Sequence, residues 1–315
     1  MPPQGISFFN KFLRQPDNSP QDPISNNLDP ANPSYPYGSI LLNWLIASGI
    51  FGTSIRTLLT SSPSNFYISD AGNDSNPGTA GQPWLTEAPF YSRYDAGGQD
   101  VILNLLTNRT RRFQVKPWVG GGTVTLDGAN HTINYTGVDT FDGAIDAKYG
   151  APPGPFRYQN IKLTTSLGAS GQCALVNVQS PAVVDVGTGT ELQAANASPQ
   201  LYAATSGFIR LTNSFNVSGG AGMLILADVG GVVSTLGVPI TTAFLNNVTY
   251  SQATVFADHG ALVVPFSVNW DLQGHTVTGQ RFTCNTGANI VALHGLQFIP
   301  GTVEGVQTAP GGGYV

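Results

Sequence analysis

The sequence predicts a mainly β protein: a right-handed, single-stranded parallel β-helix with an extended N-terminal arm and one helix. Three observations point there: a recurring eight-residue pattern, a low charge content and the placement of turn residues. The pattern is anchored on Pro181, Gly207, Gly230, Gly260 and Gly287, at spacings of 26, 23, 30 and 27 residues. Five places before the anchors stand Val176, Tyr202, Ile225, Val255 and Phe282, all bulky and apolar. Three places before are Val178, Ala204, Ala227, Ala257 and Cys284, and two places before are the polar Gln179, Thr205, Asp228, Asp258 and Asn285. Two places after, Val183, Ile209, Val232 and Leu262 are apolar and Asn289 departs from the rule. Looser echoes at Gly154 and Gly128 extend the series backwards. A period of roughly 20–50 residues marks a solenoid. The unit itself reads as a strand with two inward residues, a tight corner and another strand, one coil of a parallel β-helix.

Composition agrees with stacked β-structure. Only 10% of the 315 residues are charged, against about 25% in an ordinary soluble domain. The formal net charge is −5, with no basic stripe of the kind that binds nucleic acid. The dense cluster Arg109, Arg111 and Arg112 reads as a solvated turn. Cys173 and Cys284 fall several coils apart, and coils rise about 4.8 Å each, too far for a disulfide. Cys284 occupies an inward small-residue slot and is expected to be a packed thiol. No zinc-type spacing or other cofactor motif is present, so no cofactor and no metal are expected. A charged-then-apolar leader is not expected either.

Four segments are expected: 1–60 as an attachment arm and neck helix, 61–100 as the opening and cap of the β-helix, 101–295 as the coils, and 296–315 as a glycine-rich tail. Residues 1–38 hold eight prolines and cannot form a helix or a core alone. Phe8, Phe9, Phe12 and Leu13 are apolar points that would dock on a partner. From Ser39 to Leu59, apolar residues recur at helical steps through Leu41, Leu45, Phe51, Ile55 and Leu58. With Trp44, this stripe suits a short helical bundle about a symmetry axis, hence a homo-oligomeric neck rather than a membrane span.

From Phe66 to Trp84 a strand runs into a turn of Gly72-Asn73-Asp74, then Gly78-Thr79 and Pro83-Trp84. The order and spacing resemble the opening motif of right-handed parallel β-helix proteins of the pectate-lyase-like class. At the other end, Val277–Phe282, Pro300–Gly305 and Gly311–Val315 look like the ending of phage and prophage tail-fibre or tail-appendage proteins. Relatives of this kind carry a capping helix after the opening motif; here Pro89 interrupts Trp84–Phe90, so the cap must be short or come from a neighbouring element. The resemblance implies a virion protein assembled in the host cytoplasm: a tail fibre or spike-like appendage subunit, homotrimeric, attached to tail or capsid proteins through residues 1–60. It would present its β-helix to a host-surface glycan or receptor.

Two other readings stay open. The class includes polysaccharide lyases and hydrolases, so a glycan depolymerase is one. Asp228 and Asp258 are its candidate carboxylates, a pair that would stack about 5 Å apart, with His259 as a base. A corner ladder of short polar residues explains the same positions without catalysis. Asp139, Asp142 and Asp146 form a second acidic group, read as a solvated loop before a metal site. Arg210 is expected on a different face from Asp228. His131, His275 and His294 read as corner residues, and Trp84, Trp118, Trp270 and Tyr135 as packing residues before sugar platforms. The other open reading is a head fibre or connector that binds only other virion proteins.

Overall fold

A computed structural model describes residues 56–136, 142–148, 150–165, 174–194, 199–308 and 311–315. The docking points Phe8, Phe9, Phe12, Leu13, Leu41, Trp44, Leu45 and Phe51, together with Cys173 and Asp139, lie outside the described residues. Thr57–Val315 form one compact unit.

That unit is a parallel β-helix. Three sheets run its length, every strand pair joining them is parallel, and each coil contributes one strand to each sheet in turn. Among the described residues the first face has ten strands, from Ser64–Ile68 to Gly313–Tyr314. Counted likewise among the described residues, the second has six, from Thr132–Tyr135 to Val268–Asp271, and the third has nine. Six successive coils, beginning at Val124, carry strands on all three faces.

Strand alternation explains the core, because every second side chain points inward and the parallel register sets like positions on one another. On the first face one such column runs Val101, Val124, Phe156, Val184, Ile209, Val233, Val263 and Ile290, all buried. On the third face Phe113, Ile145, Val176, Leu201, Ile225, Val255 and Phe282 form another, flanked by a narrower column of Ala147, Val178, Ala203, Ala227, Ala257 and Cys284. Each fully buried Val, Leu, Ile or Phe contributes about 1.5–3 kcal/mol, so the column is the main source of stability. Cys284 is the packed thiol expected of its slot: its Sγ donates to Ala288 O at 3.2 Å and Gly313 O at 3.3 Å.

The corner between the third and first faces is a four-residue turn in five coils: 179–182, 204–207, 228–231, 258–261 and 285–288. In the last four coils the first residue's carbonyl accepts from the fourth residue's N–H, at 2.8–3.0 Å. Their two middle residues are left-handed, as in type I′ turns: Thr205-Ser206, Val229-Gly230, His259-Gly260 and Thr286-Gly287.

This geometry corrects the predicted register at one coil. Gly230, Gly260 and Gly287 align, but their counterpart is Ser206, and Gly207 stands opposite Gly231. The reason is steric. A Cβ at Gly207 would lie 2.2 Å from Val178 O, and one at Gly231 would lie 2.1 Å from Ala203 O. Both glycines answer a close approach to the coil below, whereas Gly230 and Gly260 have open space and answer the left-handed backbone. Leu201 and Ala203, not Tyr202 and Ala204, therefore fill the inward columns, and Ala204, not Thr205, shares the slot of Asp228. The echoes divide likewise: Gly154 lies in a longer loop at this corner, while Gly128 lies at the next corner, between the first and second faces.

The N-terminal end is closed by the opening motif. The Trp84 ring stacks on Phe66 at 4.7 Å and its Nε1 donates to Asn76 O at 2.8 Å. Asp74 Oδ1 accepts from Leu85 N and Thr86 N, and its Oδ2 from the Thr86 hydroxyl at 2.7 Å, which ties the turn to the chain just beyond Trp84. Pro89 does not break that segment. It stands in the first turn of a short helix, α1 (Ala88–Arg93), where a missing N–H costs nothing, and Phe90 and Tyr91 are buried. The predicted helix over Ser39–Leu59 is overturned at its end: Thr57–Leu58 is a strand paired with Tyr94–Asp95, and Leu59 N donates to Asp95 O. At the other end Gly313–Tyr314 extends the first face beyond Asn289–Ile290, and Tyr314 stacks on Phe282 at 4.2 Å.

Gly231→Ala is expected to lower the urea midpoint by the equivalent of about 2–4 kcal/mol, as a buried backbone clash does. Gly260→Asn, in open space at a left-handed position, should cost below about 1 kcal/mol. Equal losses at the two sites would contradict the division of glycine roles.

Candidate functional site

The corner turns bring Asp228 and Asp258 into direct register on adjacent coils. Each carboxylate first serves its own turn: Asp228 Oδ1 accepts from Val229 N and Asp258 Oδ1 from His259 N, both at 2.8 Å. Like charges opposed across a parallel ladder repel, and the group set against both is His259. Its Nδ1 lies 2.8 Å from Asp228 Oδ1 and 3.6 Å from Asp258 Oδ2. The hydrogen bond to Asp228 raises the imidazole pKa above its ordinary value, and the charge of Asp258 adds to the shift. The three sequence candidates are thus together, in an open position on the corner. Chemically the trio is an acid–imidazole–acid contact that favours the protonated form of His259. Among the described residues no group of three or more His, Cys, Asp or Glu side chains is arranged to hold a metal ion.

The second constellation was not legible as a site. Asp142 and Asp146 are buried rather than solvated. Arg112 and Lys148 each pair with Asp142, and both lie within 3.8 Å of Asp146 Oδ2. Asn177 Nδ2 donates to Asp146 Oδ1 at 2.9 Å, and Tyr135 OH donates to Asp142 Oδ2 at 3.2 Å. Burial pushes the Asp146 carboxyl up to about 6, opposed by the nearby Lys148 ammonium and reinforced by Asp142. The arginine cluster is corrected too. Arg109 is only 2% exposed and pairs with Glu87 at 3.5 Å, under α1; Arg111 alone of the three is exposed. A turn of three arginines looked solvated because its partners, Glu87 and Asp142, lie 22 and 30 residues away.

Arg210 is on the first face, away from the corner, where it joins Asp185 through a two-pronged contact of 2.5 and 2.7 Å. Trp84, Trp118 and Tyr135 are buried, and Trp270 packs between Phe244 and Phe298. His294 stacks on Phe298 at 4.3 Å and meets Phe266 O, while the backbone N–H groups of His131 and His275 close turns. None of these rings joins the corner trio. Among the described residues no helix is long and apolar enough to cross a membrane.

Comparison with protein-family profiles, with curated proteins and with solved structures gives no match. What the structure shows of its class is therefore the fold, a parallel β-helix.

Two titrations check these arrangements. Asp228→Asn should lower the His259 pKa, measured by NMR of the imidazole protons. In the unaltered protein the contribution of His259 to stability is present below its ordinary pKa of about 6.5 and is lost as pH rises through the raised value. Asp146 carries the same sign: its raised pKa means the site's stabilisation is greatest below the ordinary carboxylate range and falls as pH rises through about 6. Asp146→Asn should flatten the dependence of the urea midpoint between about pH 4 and 7, and an unchanged slope would contradict the assignment.

Proposed function

We propose that this chain is a structural subunit of a phage or prophage appendage, tail fibre or spike-like, located in the virion after assembly in the host cytoplasm. It is attached through residues 1–60 and presents its β-helix to the host surface as a homotrimer. The resemblance of the opening and closing motifs supports the reading, as does a stack of coils closed at both ends, which leaves few sheet edges open to unwanted pairing.

The observation that carries the oligomeric part is an apolar edge. In the corner after the first-face strands, Leu236 stands opposite Thr212 and Gly187 of the two coils before it, and opposite Phe266 and Leu293 of the two coils after it. Leu236 and Leu293 are 55% and 62% exposed, and both adopt a left-handed backbone that favours glycine or asparagine. Val238 and Leu296 lie beside them and are also exposed. Apolar side chains held at turn tips against backbone preference suit contact with a neighbouring subunit.

A specific observation keeps the second reading, a glycan depolymerase, in view: the contact of His259 with both corner aspartates. Asp228→Asn abolishing capsule degradation by purified protein would establish it; in the appendage reading that variant leaves host attachment unchanged.

Electron microscopy of particles labelled at Val315 should place the label at the distal end of an appendage. A label buried within the particle would favour a head fibre or connector. In sedimentation, Leu236→Asn with Leu293→Asn should shift the trimer towards monomer while keeping or raising the urea midpoint of the fold. Unchanged mass would remove this edge from the interface.

A further inference from the structure

The last strand of the first face, Gly313–Tyr314, is held more lightly than the coils it closes. Tyr314 stands over Ile290, so its ring ends the inward column that runs through Val263 and Ile290. Among the described residues no strand pairs with it on the other side. The approach carries no side chains: Gly311 has a left-handed backbone (φ 87) above Gly287, and a Cβ at Gly312 would lie 2.5 Å from Cys284 O. What holds the strand is one ring stack, Tyr314 on Phe282 at 4.2 Å, and a few hydrogen bonds. Gly313 N donates to Ala288 O and Val315 N to Ile290 O, both at 3.0 Å, while Val315 O accepts from Ala292 N and Leu293 N. The Tyr314 hydroxyl donates to Gly295 O at 3.2 Å. Beneath lie Phe282, Cys284 and Ile290, all buried, and the thiol meets Gly313 O at 3.3 Å.

We propose that residues 311–315 act as a latch that opens locally while the coils stay folded. A coil is fixed by columns of buried side chains shared with its neighbours and is lost only with them. The latch contributes one ring to those columns, and its Val315 is 63% exposed. Segments with few buried apolar contacts open at a fraction of the free energy of global unfolding. Closed, the latch keeps water from the end of the apolar column and from Cys284. It also fixes the 292–295 turn, because Ala292, Leu293 and Gly295 are all bonded to it, and so sets the position of the exposed Leu293 side chain. Open, it bares Ala288 O, Ile290 O, Ala292 N and Leu293 N, an edge of the kind that accepts a strand from another chain. The latch does not rest on the appendage reading: its bonds to the turn are the same whether or not a subunit packs against Leu293.

Thiol labelling of the full chain carrying Cys173→Ser tests the latch, with Cys284 as the reporter. Dithionitrobenzoate should react slowly, at a rate nearly independent of urea until the coils begin to unfold. Tyr314→Ala removes the ring stack, whereas Gly312→Ala keeps the ring and sets a Cβ against Cys284 O, a clash that opening relieves. Each variant should speed labelling by about tenfold or more, while the urea midpoint of the coils stays close to that of the parent. Hydrogen exchange at Leu293 N–H, followed by NMR, should quicken in step. Labelling that occurs only with global unfolding, an immediate reaction in the parent, or a rate that either variant leaves unchanged would each overturn the proposal.

Discussion

The parallel backbone ladder is the constraint on which this protein depends. Because each coil hydrogen-bonds in register to the next, a residue's nearest neighbours are its counterparts one coil above and below. An apolar residue in an inward slot requires another apolar residue beneath it, and so the core becomes a set of columns. A charge in an outward slot requires an opposite charge or a neutral partner. The low charge content agrees with this rule, and the charges present obey it: Arg157, Asp185 and Arg210 alternate in sign on the first face, and Lys162 stands opposite Glu191 at 2.9 Å on the second. Asp228 over Asp258 is a like-charged step, and it is the place where a histidine is held between the carboxylates.

The same rule explains what sequence reading recovered and what it missed. The columns were legible because strand alternation and coil period both leave a trace in one dimension: Val176, Ile225, Val255 and Phe282 were placed correctly from spacing alone. The coil at Gly207 slipped by one residue because two kinds of glycine look alike in a sequence. One permits a left-handed turn and the other lets two backbones touch, and only neighbouring coordinates separate Gly230 from Gly231. Asp228, Asp258 and His259 were legible because the turn repeats. The burial of Arg109, Asp142 and Asp146, and the pairing of Arg112, were not, since each depends on a partner brought in by folding. Pro89 misled in a milder way: it marks the start of α1 rather than its interruption.

The two ends show how a solenoid with open sheet edges is made finite. At the N-terminal end Phe66, Trp84, Phe90 and Tyr94 form an aromatic lid over the first coils. At the C-terminal end Tyr314 covers Phe282. Between these lids the outer surface is free to vary without disturbing the columns, and the corners use that freedom: Gly187 and Thr212 early, Leu236, Phe266 and Leu293 late at one edge, and an acid–imidazole contact on another. A fold of this type supports recognition and catalysis equally well, and the appendage reading rests on the end motifs and the apolar edge rather than on the coils themselves.

The central claim, that successive coils stack in register, is tested most directly by cysteine pairing at the corner. Val229 and His259 occupy the same turn position on adjacent coils, and Thr286 occupies it one coil further on. In a background with Cys173 and Cys284 replaced, Val229→Cys with His259→Cys should form a disulfide, since strands about 4.8 Å apart bring the Cα atoms within bonding range. Val229→Cys with Thr286→Cys, about 9.6 Å apart, should remain reduced under the same oxidant. Crosslinking of the distant pair but not the adjacent one would contradict the stacked arrangement.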